Sequence, residues 1–112
     1  MSNTVFYTKT FNNTVDERIN HLSQWNDKNS VIDKILTLIG KFEDNVTANP
    51  TMYAISPELL DIGHSGVRVF KHDGFKVLYK YDDVDNTIHA LLLISDKQDL
   101  VKSLIEHCLI YR

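Results

Sequence analysis

The residues able to do chemistry in this 112-residue chain gather in one short stretch. Between Val67 and Lys80 stand four basic side chains, Arg68, Lys71, Lys76 and Lys80, against one acid, Asp73, a local charge of +3 in a chain whose formal total is −3. Phe70, Phe75 and Tyr79 are interleaved with them, and Tyr81 comes just after. Cations and rings that share a sheet face can grip phosphates and stack bases. The plainer account is that one face packs on other elements while the second is wetted and guarded by lysines. Composition alone favours the plainer account.

The other reactive residue types are scattered. His21 and His107 fall on helical stretches among polar neighbours, and His64 lies in a loop bordered by glycines. His72 flanks a tight turn, and His89 points opposite to Ile88 and Ala90. Each reads as a solvated or hydrogen-bonded structural histidine before a catalytic one. There is no nucleophile elbow, phosphate-cradling glycine loop, HExxH pair or carboxylate pair at metal spacing, so no metal and no cofactor are expected. The single cysteine, Cys108, excludes an intramolecular disulfide and fits a reducing, cytoplasmic setting.

Composition sets further bounds. With 43% hydrophobic and 24% charged residues the chain is that of an ordinary globular domain, one domain over residues 1–112. A chain of this size buries roughly two-thirds of its unfolded surface and needs no staple. No stretch reaches the roughly 18 apolar residues of a membrane span, and the start lacks an export signal. The sequons at Asn12 and Asn45 are read as chance. A pI near 5.9 argues against coating nucleic acid by global attraction.

Periodicity gives the elements that must position these residues. Residues 5–11 (VFYTKTF) are β-branched and aromatic, a first strand. Thr14-Val15-Asp16-Glu17 has the form of a capping box, and Val15, Ile19, Leu22 and Trp25 then recur at helical spacing up to Asn26-Asp27. A second cap at Ser30 opens a more apolar helix carrying Val31, Ile32, Ile35, Leu36, Leu38, Ile39 and Phe42, and the two helices form an antiparallel hairpin. After Asn49-Pro50 the chain turns irregular, with a short helical turn expected at Ser56-Pro57-Glu58. From Val67 the period becomes two: residues 67–72, a turn at Asp73-Gly74, and residues 75–81 make a hairpin. Its alternation puts Phe75, Val77, Tyr79 and Tyr81 on one face and Lys76, Leu78 and Lys80 on the other, with Arg68, Phe70 and His72 sharing a face. Residues 87–94 form a nearly unbroken apolar strand, and Ser95-Asp96-Lys97-Gln98 caps a last helix through Leu100, Leu104 and Cys108. The expected fold is α+β in two layers, β-α-α-β-β-β-α, with the helical hairpin over a four-stranded, mainly antiparallel sheet.

Arg68-Val69-Phe70, Gly74-Phe75-Lys76-Val77-Leu78-Tyr79, Ile88-His89-Ala90-Leu91-Leu92-Leu93 and Lys97-Gln98-Asp99 resemble, in that order, the RelE/ParE toxins of bacterial type II toxin–antitoxin systems. The resemblance spans roughly residues 30 to 100. It implies a cytoplasmic growth-inhibiting toxin of the plasmid-stabilisation kind, neutralised by a small antitoxin whose disordered segment folds as it wraps the toxin. Two activities occur in that family. RelE-like members cut messenger RNA on the ribosome with basic residues, often with a histidine or tyrosine, and without a metal. ParE-like members poison DNA gyrase and do no chemistry of their own.

Carried over singly, Arg68 matches the arginine of the first meander strand and Tyr79 a tyrosine common to both branches, while Lys76 stands where ribonuclease members usually place an arginine. Under the ribonuclease alternative Lys76 and Tyr79 are the catalytic residues; under the binding reading Arg68, Phe70, Lys71 and Lys97 contact the target. Ser95 occupies a position where many members have histidine or arginine, and it supplies neither an acid nor a cation near neutral pH. Asp96 and Asp99 crowd the same edge, although cleavage needs several cations around a pentacovalent phosphate. The expectation is therefore the ParE-like branch, with gyrase rather than the ribosome as target. A ribosome-dependent endoribonuclease, or a noncatalytic binding module whose toxicity has been lost, are the alternatives. Arg68, on an exposed strand, is expected to contribute little to stability. The last helix is expected to pack on the sheet, a homodimer seam or antitoxin contact being the alternatives.

Overall fold

The computed structural model describes residues 3–55 and 66–95. Its elements run β1 (Thr4–Tyr7), α1 (Lys9–Leu22), α2 (Lys28–Ala48), β2 (Val67–His72), β3 (Phe75–Asp82) and β4 (Thr87–Ser95). The strands form one sheet in the order β1-β4-β3-β2, antiparallel except for β1, which lies parallel to β4. This is the α+β arrangement expected. The turn at Ser56-Pro57-Glu58, the closing Lys97-Gln98-Asp99 and the last helix lie outside the described residues.

Local chemistry sets the meander. Asp73 (φ 52°) and Gly74 (φ 83°) both adopt positive φ, the turn whose twist matches the flanking strands. The register is then one to one from His72↔Phe75 to Val67↔Lys80. Between β3 and β4 the register slips, with Leu78 opposite Leu92 but Tyr79 opposite Ala90. Leu91 is the extra residue of a bulge, and it reverses which face each later residue of β4 takes. Ile88, Ala90 and Leu93 therefore join the core beneath the helices, while Leu92 and Ile94 join Val67 and Leu78 in a second buried cluster on the opposite face. The unbroken apolar run of β4 reflects burial on both sides. The face away from the helices is accordingly not simply wet, as the plainer account had it: Leu78 and Leu92 are fully buried.

The N-terminal half departs from the expected boundaries. The first strand stops at Tyr7, because the Thr8 hydroxyl caps the backbone N–H of Phe11 and starts α1 at Lys9. Phe11, expected on a strand, is a helical residue in the core. Thr14 is no cap but a buried mid-helix residue whose hydroxyl donates to the Phe11 carbonyl and accepts from the backbone N–H of Leu93. Likewise α2 is capped three residues earlier than expected, by the Asp27 carboxylate accepting from the Ser30 N–H. It extends to Ala48, and its Val31, Ile35, Leu38, Phe42 and Val46 bury one stripe. Phe42 meets Phe70 and Tyr79 edge to face, at 5.7 and 5.6 Å between ring centres.

Candidate functional site

The pleat of the β2–β3 hairpin divides the expected site residues between two faces. Phe70 and Tyr79 belong to the core beneath the helices, and Arg68, which faces Tyr79 across the ladder, shares their side. Lys71 and Lys76 are register partners, and with Lys80 they project from the other side. Lys97 lies outside the described residues.

On the helix side, each of the three residues is already engaged. Arg68 Nη1 donates to the carbonyls of Tyr53 (2.6 Å) and Thr51 (3.2 Å). The Tyr79 hydroxyl donates to the carbonyl of Pro50 at 2.8 Å. Burial raises the Tyr79 pKa well above the ordinary phenol value, although the Arg68 charge pulls the other way, so the phenol keeps its proton. Phe70 is only 3% exposed and packs against Tyr53, Phe42 and His72. Arg68 is thus half-buried and bonded, rather than the exposed strand residue expected. The bond to the Tyr53 carbonyl is partly buried, and a hydrogen bond from a charged donor there carries about 1.5–3 kcal/mol, so replacing Arg68 affects more than a surface charge.

Lys76 and Tyr79 cannot meet over one phosphate while β3 stays paired, because their side chains leave opposite faces of the strand. No group of three or more His, Cys, Asp or Glu residues able to hold a metal occurs among the described residues. A cleft of about 190 Å³ between the helical hairpin and β3, lined by Leu22, Val31, Ile35 and Phe75 among others, is smaller than the roughly 300–1,000 Å³ of sites that enclose small molecules. No helix among the described residues is long and apolar enough to cross a membrane.

Sequence reasoning passed over residues 50–55. All three carbonyls that engage Arg68 and Tyr79 come from this segment, and the Val69 N–H donates to a fourth, that of Ala54, at 3.2 Å. Ile55 forms an isolated antiparallel bridge with Arg68. The segment therefore runs along the outer edge of β2, and its one sequence signal is the strand-like pair of Tyr53 and Ile55 after a helix-stopping Pro50. At the other edge, Tyr7 donates to the Glu43 carboxylate and Asn3 to the Thr47 carbonyl, which ties β1 to α2.

No family model matches the sequence, and no curated protein matches it either. The fold is similar to that of a chain in the crystal structure of the toxin–antitoxin complex RelBE2 from Mycobacterium tuberculosis, with a TM-score of 0.58 and 18% identity over 85% of this chain and 99% of that one. At that identity the likeness is one of fold, and it extends over nearly the whole of the other chain.

Proposed function

We propose that the chain is the toxin of a type II toxin–antitoxin pair, neutralised by a cognate antitoxin, and that it arrests growth by binding an essential target, DNA gyrase, in the ParE-like manner. The observation that carries the toxin reading is the shared fold across nearly the full length of a chain from a toxin–antitoxin complex, which agrees with the motif order Arg-x-Phe, Gly-Phe-Lys-x-x-Tyr and the apolar strand. Fold alone does not choose an activity. Binding in place of cleavage is supported by the division of Lys76 from Tyr79 across β3 and by the commitment of the Tyr79 hydroxyl to Pro50. Metal-free cleavage needs an acid, a base and clustered cations at one phosphate.

Induction of the chain without its antitoxin tests both parts. The expected sequence is DNA-damage signalling and filamentation before translation falls, with rescue by the product of the neighbouring gene. Loss of messenger RNA with cuts at codon boundaries in the ribosomal A site would establish the ribonuclease alternative. Unaffected growth would remove the toxin reading altogether.

A further inference from the structure

The edge strand of a sheet presents a row of backbone N–H and C=O groups on which another strand can pair, unless the edge is short, charged or covered. The strand order puts β1 and β2 at the edges. β1 is only four residues long, because the Thr8 cap turns the chain into α1. β2 has six residues, and Lys71 guards its far end with an exposed charge. Its near end, Val67-Arg68-Val69-Phe70, is rich in the β-branched and aromatic types that favour pairing. The one charge there, Arg68, is turned onto the carbonyls of Thr51 and Tyr53. Residues 50–55 cover this stretch instead. The Val69 N–H donates to the Ala54 carbonyl and Ile55 bridges Arg68, the contacts of an incomplete fifth strand. One ladder bond and one bridge hold a strand poorly, and side chains supply the rest. Arg68 binds two carbonyls of the segment, the Tyr79 hydroxyl binds that of Pro50, and the Tyr53 ring packs on Phe70 at 5.2 Å.

We propose that residues 50–55 are an edge guard, clasped by Arg68, Tyr79 and Tyr53, which keeps β2 from pairing with the β2 of a second copy of this chain. In the closed form the outward Val69 N–H is already satisfied by Ala54, so an incoming strand must first displace the segment and break the clasp. With the clasp weakened, the uncovered edge meets an identical edge on another copy. Two such edges pair antiparallel about a twofold axis, which closes the contact at a dimer. This role is independent of the toxin reading. It gives the two residues that most resemble a toxin's target-contacting set an intramolecular task in this chain.

The test follows Arg68→Ala and Tyr53→Ala beside the parent chain by amide exchange and by sedimentation across a dilution series. In dilute solution each variant is expected to lose protection at the Val69 amide by about 10-fold or more, while the Leu93 amide held by Thr14 stays protected and reports an intact fold. As concentration rises, both variants are expected to form dimers and to regain Val69 protection, now from the second copy, whereas the parent shows neither change. Should the Leu93 amide open in one variant, the other decides. A Val69 amide that opens with no association at any concentration overturns the proposal. So does association that leaves the Val69 amide open, which would place the contact on another surface. Parent-like Val69 protection in both variants shows that these side chains do not hold the segment, and equally refutes it. Association in Arg68→Ala alone, with the Val69 amide open in both, would trace it to the lost charge and remove the guard.

Discussion

Replacing Thr14 by valine removes the hydroxyl that joins the helical layer to the sheet, together with its local bond to the Phe11 carbonyl. Strand β1 covers the free side of β4 only up to Ala90, opposite Tyr7. Beyond it α1 takes over: Thr8 donates from its N–H and hydroxyl to the Ala90 carbonyl, and the Thr14 hydroxyl, 3% exposed as a residue, accepts from the buried Leu93 N–H at 3.0 Å. Valine keeps the shape of threonine and removes the acceptor. The Leu93 N–H is then left without its partner in a dry interior, at a cost of about 1–3 kcal/mol. A central figure of about 2 kcal/mol is a large share of the roughly 5–15 kcal/mol that hold a typical domain. At roughly 4 °C per kcal/mol for a chain of this size, the thermal midpoint falls by about 8 °C. Thr14→Ser keeps both hydrogen bonds and loses one methyl group, about 1 kcal/mol. The expected order of stability is therefore parent, serine, valine, read by urea unfolding with equal slopes and by selective loss of Leu93 amide protection in the valine variant. A valine variant within about 0.5 kcal/mol of the parent, or more stable than serine, would refute the assignment of Thr14 as the partner of β4.

Phe42→Ala removes the ring on which Phe70 and Tyr79 both pack, and it is expected to cost about 3–5 kcal/mol, read as a lowered urea midpoint or as loss of folding at 37 °C. Gly74→Ala meets no atom within 4 Å of the added Cβ but must hold φ at +83°, so it is expected to cost about 1 kcal/mol through backbone strain alone. The Tyr7 pKa is raised by burial and by its bond to the Glu43 carboxylate, so the folded state holds this proton more tightly than the unfolded state. Its contribution is whole below the unfolded phenol value of about 10 and is lost as pH rises beyond it towards the folded value. Urea titrations across that range should show stability declining with pH, and Tyr7→Phe should flatten the decline.

The elements legible in the sequence are those whose determinants are local. The Asp73-Gly74 turn dictates its own dihedrals, and the alternation on either side of it then fixes which residues of β2 and β3 share a face. Helix starts are misread where two hydroxyls or carboxylates compete for one role. Thr14 and Ser30 each stand in a capping pattern, but Thr8 and Asp27 lie earlier, and a cap is decided by where the chain leaves the sheet or turns back. Thr14 is drawn inside the helix by a tertiary partner, the Leu93 N–H, 79 residues away in sequence. The bulge at Leu91 is hidden for a related reason. In a strand buried on both faces every residue is apolar, so a one-residue shift leaves no trace in the hydrophobic pattern.

The candidate site is legible in its residue types and illegible in its partners. Side chains three positions apart on a strand leave opposite faces, so Arg68 and Lys71 do not share a surface, nor do Lys76 and Tyr79. Period two alone dictates that much, and it already separates a cluster in sequence from a cluster in space. What the pattern could not contain is the identity of the groups facing Arg68 and Tyr79, because those are backbone carbonyls, which every residue carries alike. An arginine that meets carbonyls stabilises the chain bearing them; an arginine that meets solvent is available to a phosphate or a partner's carboxylate. The same residue at the same strand position therefore supports two functions, and the choice between them depends on whether residues 50–55 lie against β2. In this chain they do, and the guanidinium is taken up in holding them.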